Sequence, residues 1–98
     1  MKIGEISLKA GAALAPMAGF TDAPCRRMAA RHGASFTVSE MVSAKALTFG
    51  DKKSFRLMAH GRNDAPWGVQ LFGAEPEAMA QAVRLIQKVD YDFLDLNM

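Results

Sequence analysis

The sequence predicts an α/β fold with parallel strands in the order β-α-β-α-β-α-β. Three observations carry this. Short apolar runs alternate with segments of helical periodicity along the 98 residues. Gly, Pro and Asp mark the junctions between them. Two of the apolar runs carry polar residues at alternate positions, as strands do when only one face packs on helices.

The elements follow in chain order. Residues 12–17 (AALAPM) read as a short apolar strand that ends at Pro16, where a hydrogen-bond donor is missing. The stretch LAPMAGFTDAP, residues 14–24, then turns through Gly19 to Thr21-Asp22 and Pro24, a helix start. A helix is expected over 22–32, with Cys25, Met28, Ala29 and His32 as its buried stripe and Arg26, Arg27 and Arg31 facing solvent. Gly33 offers its C-terminal cap. Residues 35–39 (SFTVS) read as a second strand, and Glu40 just past it either lines a site or caps the next helix. Residues 43–49 read as a short helix and 51–57 as another helical turn.

Asn63 to Pro66 is expected to be loop, and 67–72 (WGVQLF) a third strand. After Gly73, Pro76 opens the clearest helix, with Met79, Val83, Ile86 and Val89 or Asp90 as its buried stripe. Glu75 falls at its cap position, where a shorter side chain is better, so the cap is weak. Residues 93–97 (FLDLN) form a fourth strand.

Two architectures fit this order: a doubly wound open sheet, or part of a β/α barrel. The last expected strand ends with the chain, and a full barrel needs about 250 residues. Residues 1–98 are therefore expected to be the N-terminal part of one barrel domain, with an open edge beyond the fourth strand.

Composition bounds the class. Half the residues are hydrophobic and 22% are charged, which excludes a disordered tail. The net charge of +2 is unevenly spread: residues 1–62 hold ten Lys/Arg against four Asp/Glu, and 63–98 hold two against six. A polyanion partner for the first part is compatible with that asymmetry. Cys25 is the only cysteine, which excludes an internal disulfide and fits a reducing cytoplasm. No apolar run approaches the roughly 20 residues of a membrane helix. The segment KAGAALAPMAGF resembles a signal peptide only superficially, given Glu5 upstream and Pro16 within, so a mature cytoplasmic N-terminus is expected. His32 and His60 lack metal-ligand spacing, no P-loop occurs, and Cys25 is expected to be buried and inert.

Candidate site residues come from the strands. Gln70 lies between Val69 and Leu71, and Asn97 shares a face with Asp95 opposite Leu94 and Leu96. A buried amide without partners costs on the order of 1–3 kcal/mol. Either core polar groups satisfy one another, or a ligand at the C-terminal mouth of the strands does. Pro16, Met17, Ala18 and Gly19 bring small residues and bare backbone to that same mouth, a surface on which a flat ligand can lie. Lys45, Lys52, Lys53, Arg56 and Arg62 form a basic run interleaved with Phe49 and Phe55. It is either a solvated helix face with aromatic core contacts or a surface for nucleic-acid phosphates.

The segments LAPMAGFTDAPCRRM, SEMVSAKAL, GVQLFG and DFLDLNM, in that order, resemble the N-terminal half of the tRNA-dihydrouridine synthases, and most of all the bacterial synthase B type. The resemblance implies an FMN-binding β/α barrel that reduces uridine in tRNA, with NADPH reducing the flavin. It implies that Pro16, Met17 and Ala18 lie along the isoalloxazine, that Gln70 hydrogen-bonds the flavin ring, and that Asn97 stands near flavin and target uracil. It raises the phosphate-contact reading of Lys45, Lys52, Lys53 and Arg56. The family's proton-donor cysteine is expected just after Met98, and its lysine, histidine and phosphate-gripping loops later still. No catalytic residue is therefore assigned within the chain. The isolated chain is expected to be inactive, to hold FMN weakly or not at all, and to self-associate. The alternatives are an FMN barrel acting on free pyrimidines, such as a dihydroorotate dehydrogenase, and a non-catalytic self-associating half-barrel.

Overall fold

A computed structural model describes residues 1–9, 11–60 and 65–97. Arg62 and the start of the expected 63–66 loop lie outside the described residues. Nine elements follow in order: β1 (Lys2–Ile3), β2 (Ile6–Ser7), α1 (Ala23–Arg31), β3 (Thr37–Ser43), α2 (Ala44–Thr48), α3 (Lys52–Leu57), β4 (Trp67–Phe72), α4 (Pro76–Leu85) and β5 (Phe93–Asn97). The sheet that organises the molecule is three-stranded and parallel, in the order β3-β4-β5.

The first expected strand is reduced to one parallel bridge, Leu14 with Thr37. The Leu14 N–H donates to the Phe36 carbonyl at 3.1 Å and the Ser35 N–H to the Ala12 carbonyl at 2.8 Å. The segment thus lies beside β3, where a first strand belongs. In a parallel ladder the next donor toward that neighbour comes two residues on, and that residue is Pro16, which has no N–H. The same proline that shapes the turn stops the strand.

β3 runs four residues past its expected end at Ser39. The pairing with β4 shifts register between Val38 and Met41. At this irregularity Ser39 Oγ accepts the Gln70 N–H at 3.1 Å, so a side chain replaces a ladder carbonyl. Ser43, not Glu40, caps α2, accepting the Ala46 N–H at 3.1 Å. Asp22 and Asp51 cap α1 and α3 in the same way. β4, β5 and the start of α4 fall where the pattern puts them, and Glu75 makes no side-chain cap bond. An antiparallel β1–β2 hairpin precedes them all, and the sequence reading did not anticipate it. Its signal is Gly4 at the first of two loop positions, with φ +56°.

The core lies between the sheet and its helices. Val42, Val69 and Leu71 project to one face and pack with Ala44, Leu47, Met58, Ala82 and Ile86. Met79 and Val83 of α4 flank this cluster. The helix ends at Leu85, so the expected stripe positions Ile86 and Val89 lie past it, although both still pack on the core.

Helix α1 departs from the expected pattern. Met28 and His32 are exposed and Cys25 is half-buried, while Arg26 is 0% exposed. The cause lies outside the helix. The Arg26 guanidinium meets the Thr21 carbonyl at 2.6 Å and the Ala59 carbonyl at 2.7 Å, and lies 5.4 Å from the centroid of the Trp67 ring. The Met28 side has no such cover.

Candidate functional site

Alternation along three strands sets up the site. With Val42, Val69 and Leu71 turned to the helices, Met41, Gln70 and Phe72 turn to the opposite face. Register then builds cross-strand rows on that face. Gly68 stands opposite Phe93, Gln70 opposite Asp95, and Phe72 opposite Asn97. On the other side Met41 pairs with Gln70 and Ser43 with Phe72.

The deepest row is filled by the Phe93 ring, which covers Gly68 so closely that a Cβ there would collide with it. The middle row is polar. Gln70 Nε2 donates to Asp95 Oδ2 at 2.6 Å, and Gln70 is only 7% exposed. A carboxylate can only accept, so the NH2 of Gln70 must face it. The outer row opens into a cavity of about 510 Å³ at the C-terminal ends of all three strands. Its walls include Met41, Ser43, Phe72, Gly73 and Asn97, with Lys45 and Glu75 on the helical side. The Asn97 NH2 approaches Met41 Sδ at 3.2 Å.

Asn97 therefore lines the cavity and Gln70 lies one row deeper on the same face. Pro16, Met17 and Ala18 do not line it. The turn they belong to is tied to β3 by the next residue, Gly19, whose N–H donates to Glu40 Oε1 at 2.5 Å. Sequence reasoning left Glu40 between two roles, and the structure gives it this third one.

The basic residues divide. Lys45 sits at the cavity, 3.7 Å from Glu75 Oε1. Lys52, Lys53 and Arg56 are exposed on α3. Phe49 and Phe55 are exposed beside them, at 78% and 38%, so they are not the core contacts that the plainer reading required. Cys25 lines no part of the cavity. Among the described residues no three His, Cys, Asp or Glu side chains gather as a metal site, and no helix is long and apolar enough to cross a membrane.

One cluster was not expected at all. The His60 ring stacks on Trp67 with centroids 3.9 Å apart, and His60 Nδ1 lies 3.4 Å from Arg26 Nε. Arginine only donates, so Nδ1 accepts. Burial, and then the Arg26 charge, push the His60 imidazole down to about 4. Burial likewise lowers Arg26 from its ordinary value.

The comparison with known proteins bears on this site. A sequence model of the family described as dihydrouridine synthase (Dus) matches residues 13–98. A tRNA-dihydrouridine synthase B of Vibrio parahaemolyticus is 39% identical over 98 residues, covering 100% of this chain and 30% of that protein. A probable tRNA-dihydrouridine synthase of Rickettsia conorii is 40% identical over 99% of the chain and 30% of its own length. A synthase B of Xanthomonas axonopodis pv. citri is 39% identical, again over 100% of the chain and 30% of the relative. The chain thus spans about 30% of the length of the relatives it matches.

Proposed function

Because the chain belongs to the dihydrouridine synthase family, we propose that it forms the N-terminal, flavin-facing part of an enzyme that reduces uridine in tRNA to 5,6-dihydrouridine, with FMN bound and NADPH as reductant. One observation carries the reading. The Asn97 amide lines an apolar-walled cavity at the C-terminal strand ends, and the Gln70 amide stands on the same sheet face one row in. In this reading the three-stranded sheet, with the 12–14 segment alongside, is the first half of a β/α barrel.

The residues suit a flat heteroaromatic ring better than a phosphate. Met41 and Phe72 offer apolar contact, and the amides offer hydrogen bonds to a ring edge. Lys45, the one lysine lining the cavity, is already set against Glu75. Bound FMN would supply the redox chemistry, passing reducing equivalents from NADPH to the uracil ring. Pro16, Met17 and Ala18 would bear on the ring from the side of β3. With its NH2 committed to Asp95, Gln70 keeps its carbonyl oxygen as an acceptor for a ligand N–H. Asn97, at the outer row, would orient the uracil, and the apolar wall would exclude water from the reacting edge. No residue of the chain is assigned the proton transfer.

Lys52, Lys53 and Arg56, with Phe49 and Phe55 exposed among them, would meet tRNA outside the cavity, cations on phosphates and rings on unstacked bases. The protein would act in the cytoplasm, where tRNA is modified.

The test is to express the gene product that carries residues 1–98 and assay it with NADPH and unmodified tRNA. A yellow protein that lowers tRNA uridine is expected, with affinity for tRNA falling steeply as salt rises. A colourless, inactive product sinks the reading. Activity on a free pyrimidine with no salt-sensitive tRNA binding would move the protein to the dihydroorotate dehydrogenase type. A second reading draws on β5, which ends the sheet with Leu96 54% exposed. In it the chain is a non-catalytic half-barrel that pairs with a second copy, and a monomer in sedimentation at micromolar concentration counts against it.

A further inference from the structure

The 16–21 turn is exposed, yet what holds it is buried. Met17 and Phe20 are open to solvent, whereas Thr21 and Arg26 are fully buried. Resting on the flavin-facing reading of this turn, we propose that Arg26 is a positioning residue which, through Thr21 and together with Glu40, fixes the turn so that the Ala18 N–H is the donor it offers a ligand.

The hydrogen bonds support this by exhaustion. The Met17 N–H donates to Thr21 Oγ1 at 3.0 Å, and that hydroxyl donates back to the Met17 carbonyl at 3.2 Å. The same carbonyl accepts the N–H groups of Phe20 and Thr21 at 3.0 Å each. The Gly19 N–H is held by Glu40. Pro16 has none. Among the described residues the Ala18 N–H has no partner, although its neighbours on both sides are committed.

Arg26 anchors the assembly from beneath. Its Nη1 holds the Thr21 carbonyl, its Nη2 the Ala59 carbonyl beyond α3, and its Cζ lies over the Trp67 ring of β4, 5.4 Å from the centroid. Among the described residues no carboxylate lies within ion-pair distance of it. A cation buried on two carbonyls and a neutral imidazole, with no carboxylate partner among the described residues, is an expensive way to fill space, and an apolar side chain of the same length would be cheaper. A guanidinium, with several donors in a fixed fork, is suited to tying a turn carbonyl to a second element.

Four substitutions in the gene product that carries this chain test it: Thr21→Val, Thr21→Ser, Arg26→Met and Glu40→Leu. Two readouts are taken, amide exchange at Met17 and Gly19, and the affinity and absorption band of added FMN. Thr21→Val is expected to speed Met17 exchange and weaken FMN about tenfold, the worth of one lost hydrogen bond. Thr21→Ser restores both, and Glu40→Leu speeds exchange at Gly19. Arg26→Met behaves as Thr21→Val, and the band of the residual bound flavin moves toward that of free FMN. A purely structural role would leave that band in place. Faster exchange with unchanged FMN affinity and spectrum overturns the proposal. So does slow exchange that none of the four alters, and Thr21→Val and Glu40→Leu keep the test open if Arg26→Met does not fold. An unsubstituted protein that binds no FMN sinks the flavin reading and the ligand half of the proposal. Met17 and Gly19 then still judge the clamp, which falls if they exchange as fast as Ala18.

Discussion

The two faces of the β3-β4-β5 sheet are made of the same strands and behave oppositely. On the helical face Val42, Val69 and Leu71 are sealed at 0% exposure beneath α2 and α4. On the other face the rows pass from apolar (Gly68, Phe93) to polar (Gln70, Asp95) to open (Phe72, Asn97) along the strand direction. The first face is closed by packing alone. The second opens toward the C-terminal ends, where the proposed site lies. Leu96 marks the limit of the sealed face: it shares parity with Leu94, which packs on the core, yet it is exposed.

Four experiments press on that difference. The largest effect is expected from Leu71→Ala on the sealed face, a loss of about 2–5 kcal/mol from the transfer and cavity costs together. Phe72→Ala, one residue along on the open face, should cost well under half as much, and urea midpoints compare the two directly. Equal losses would mean that both faces are packed alike.

Next comes Gly68→Ala. The added methyl drives into the Phe93 ring in the deepest row of the open face, and overpacking of this kind costs about 1–3 kcal/mol. Combining it with Phe93→Leu should recover much of the loss. A double variant no better than the single one would show that the row is not closed by that ring.

The third experiment is a pH titration at the base of β4. His60 is held neutral, its folded pKa lowered to about 4 from an ordinary 6.5. Below pH 6.5 the unfolded chain therefore binds the proton first, and stability falls as pH drops from 6.5 toward 4. Thermal midpoints of His60→Gln should fall less over that interval. Parallel curves for the two proteins would remove His60 as the cause.

The smallest effect lies at the mouth. Glu75 caps α4 without a side-chain hydrogen bond, and its pairing with Lys45 is solvent-exposed and therefore weak. Glu75→Ser should stabilise the protein by about 0.5–1 kcal/mol, read as a raised unfolding midpoint. A lowered midpoint would show that the Lys45 contact matters more than the cap.

Much of the site was legible because its signals are local. Period-two alternation in WGVQLF and FLDLN placed Gln70 and Asn97 on one face, and the structure keeps them there. Glu40 was harder, since its partner at Gly19 is 21 residues away and nothing in SEMVS announces it. The α1 stripe was misjudged for the same reason: periodicity shows that a helix has two sides, and only neighbours decide which is covered. Phe49 and Phe55 were read as core contacts in one of two alternatives; their exposure removes that part of it, while the solvated face of Lys52, Lys53 and Arg56 stands.

By itself the sequence determined the alternation of strands and helices, the bounds of β4 and β5, and the helix start at Asp22, because each rests on residues within one turn or one strand. Only the tertiary structure decided that Arg26 is buried, that β3 extends to Ser43, and that residues 12–17 keep a single bridge. These depend on what a distant segment presents: two carbonyls and an indole ring for Arg26, a partner strand for β3, and for residues 12–17 the stretch of β3 at Thr37, beyond which Pro16 has no N–H to give.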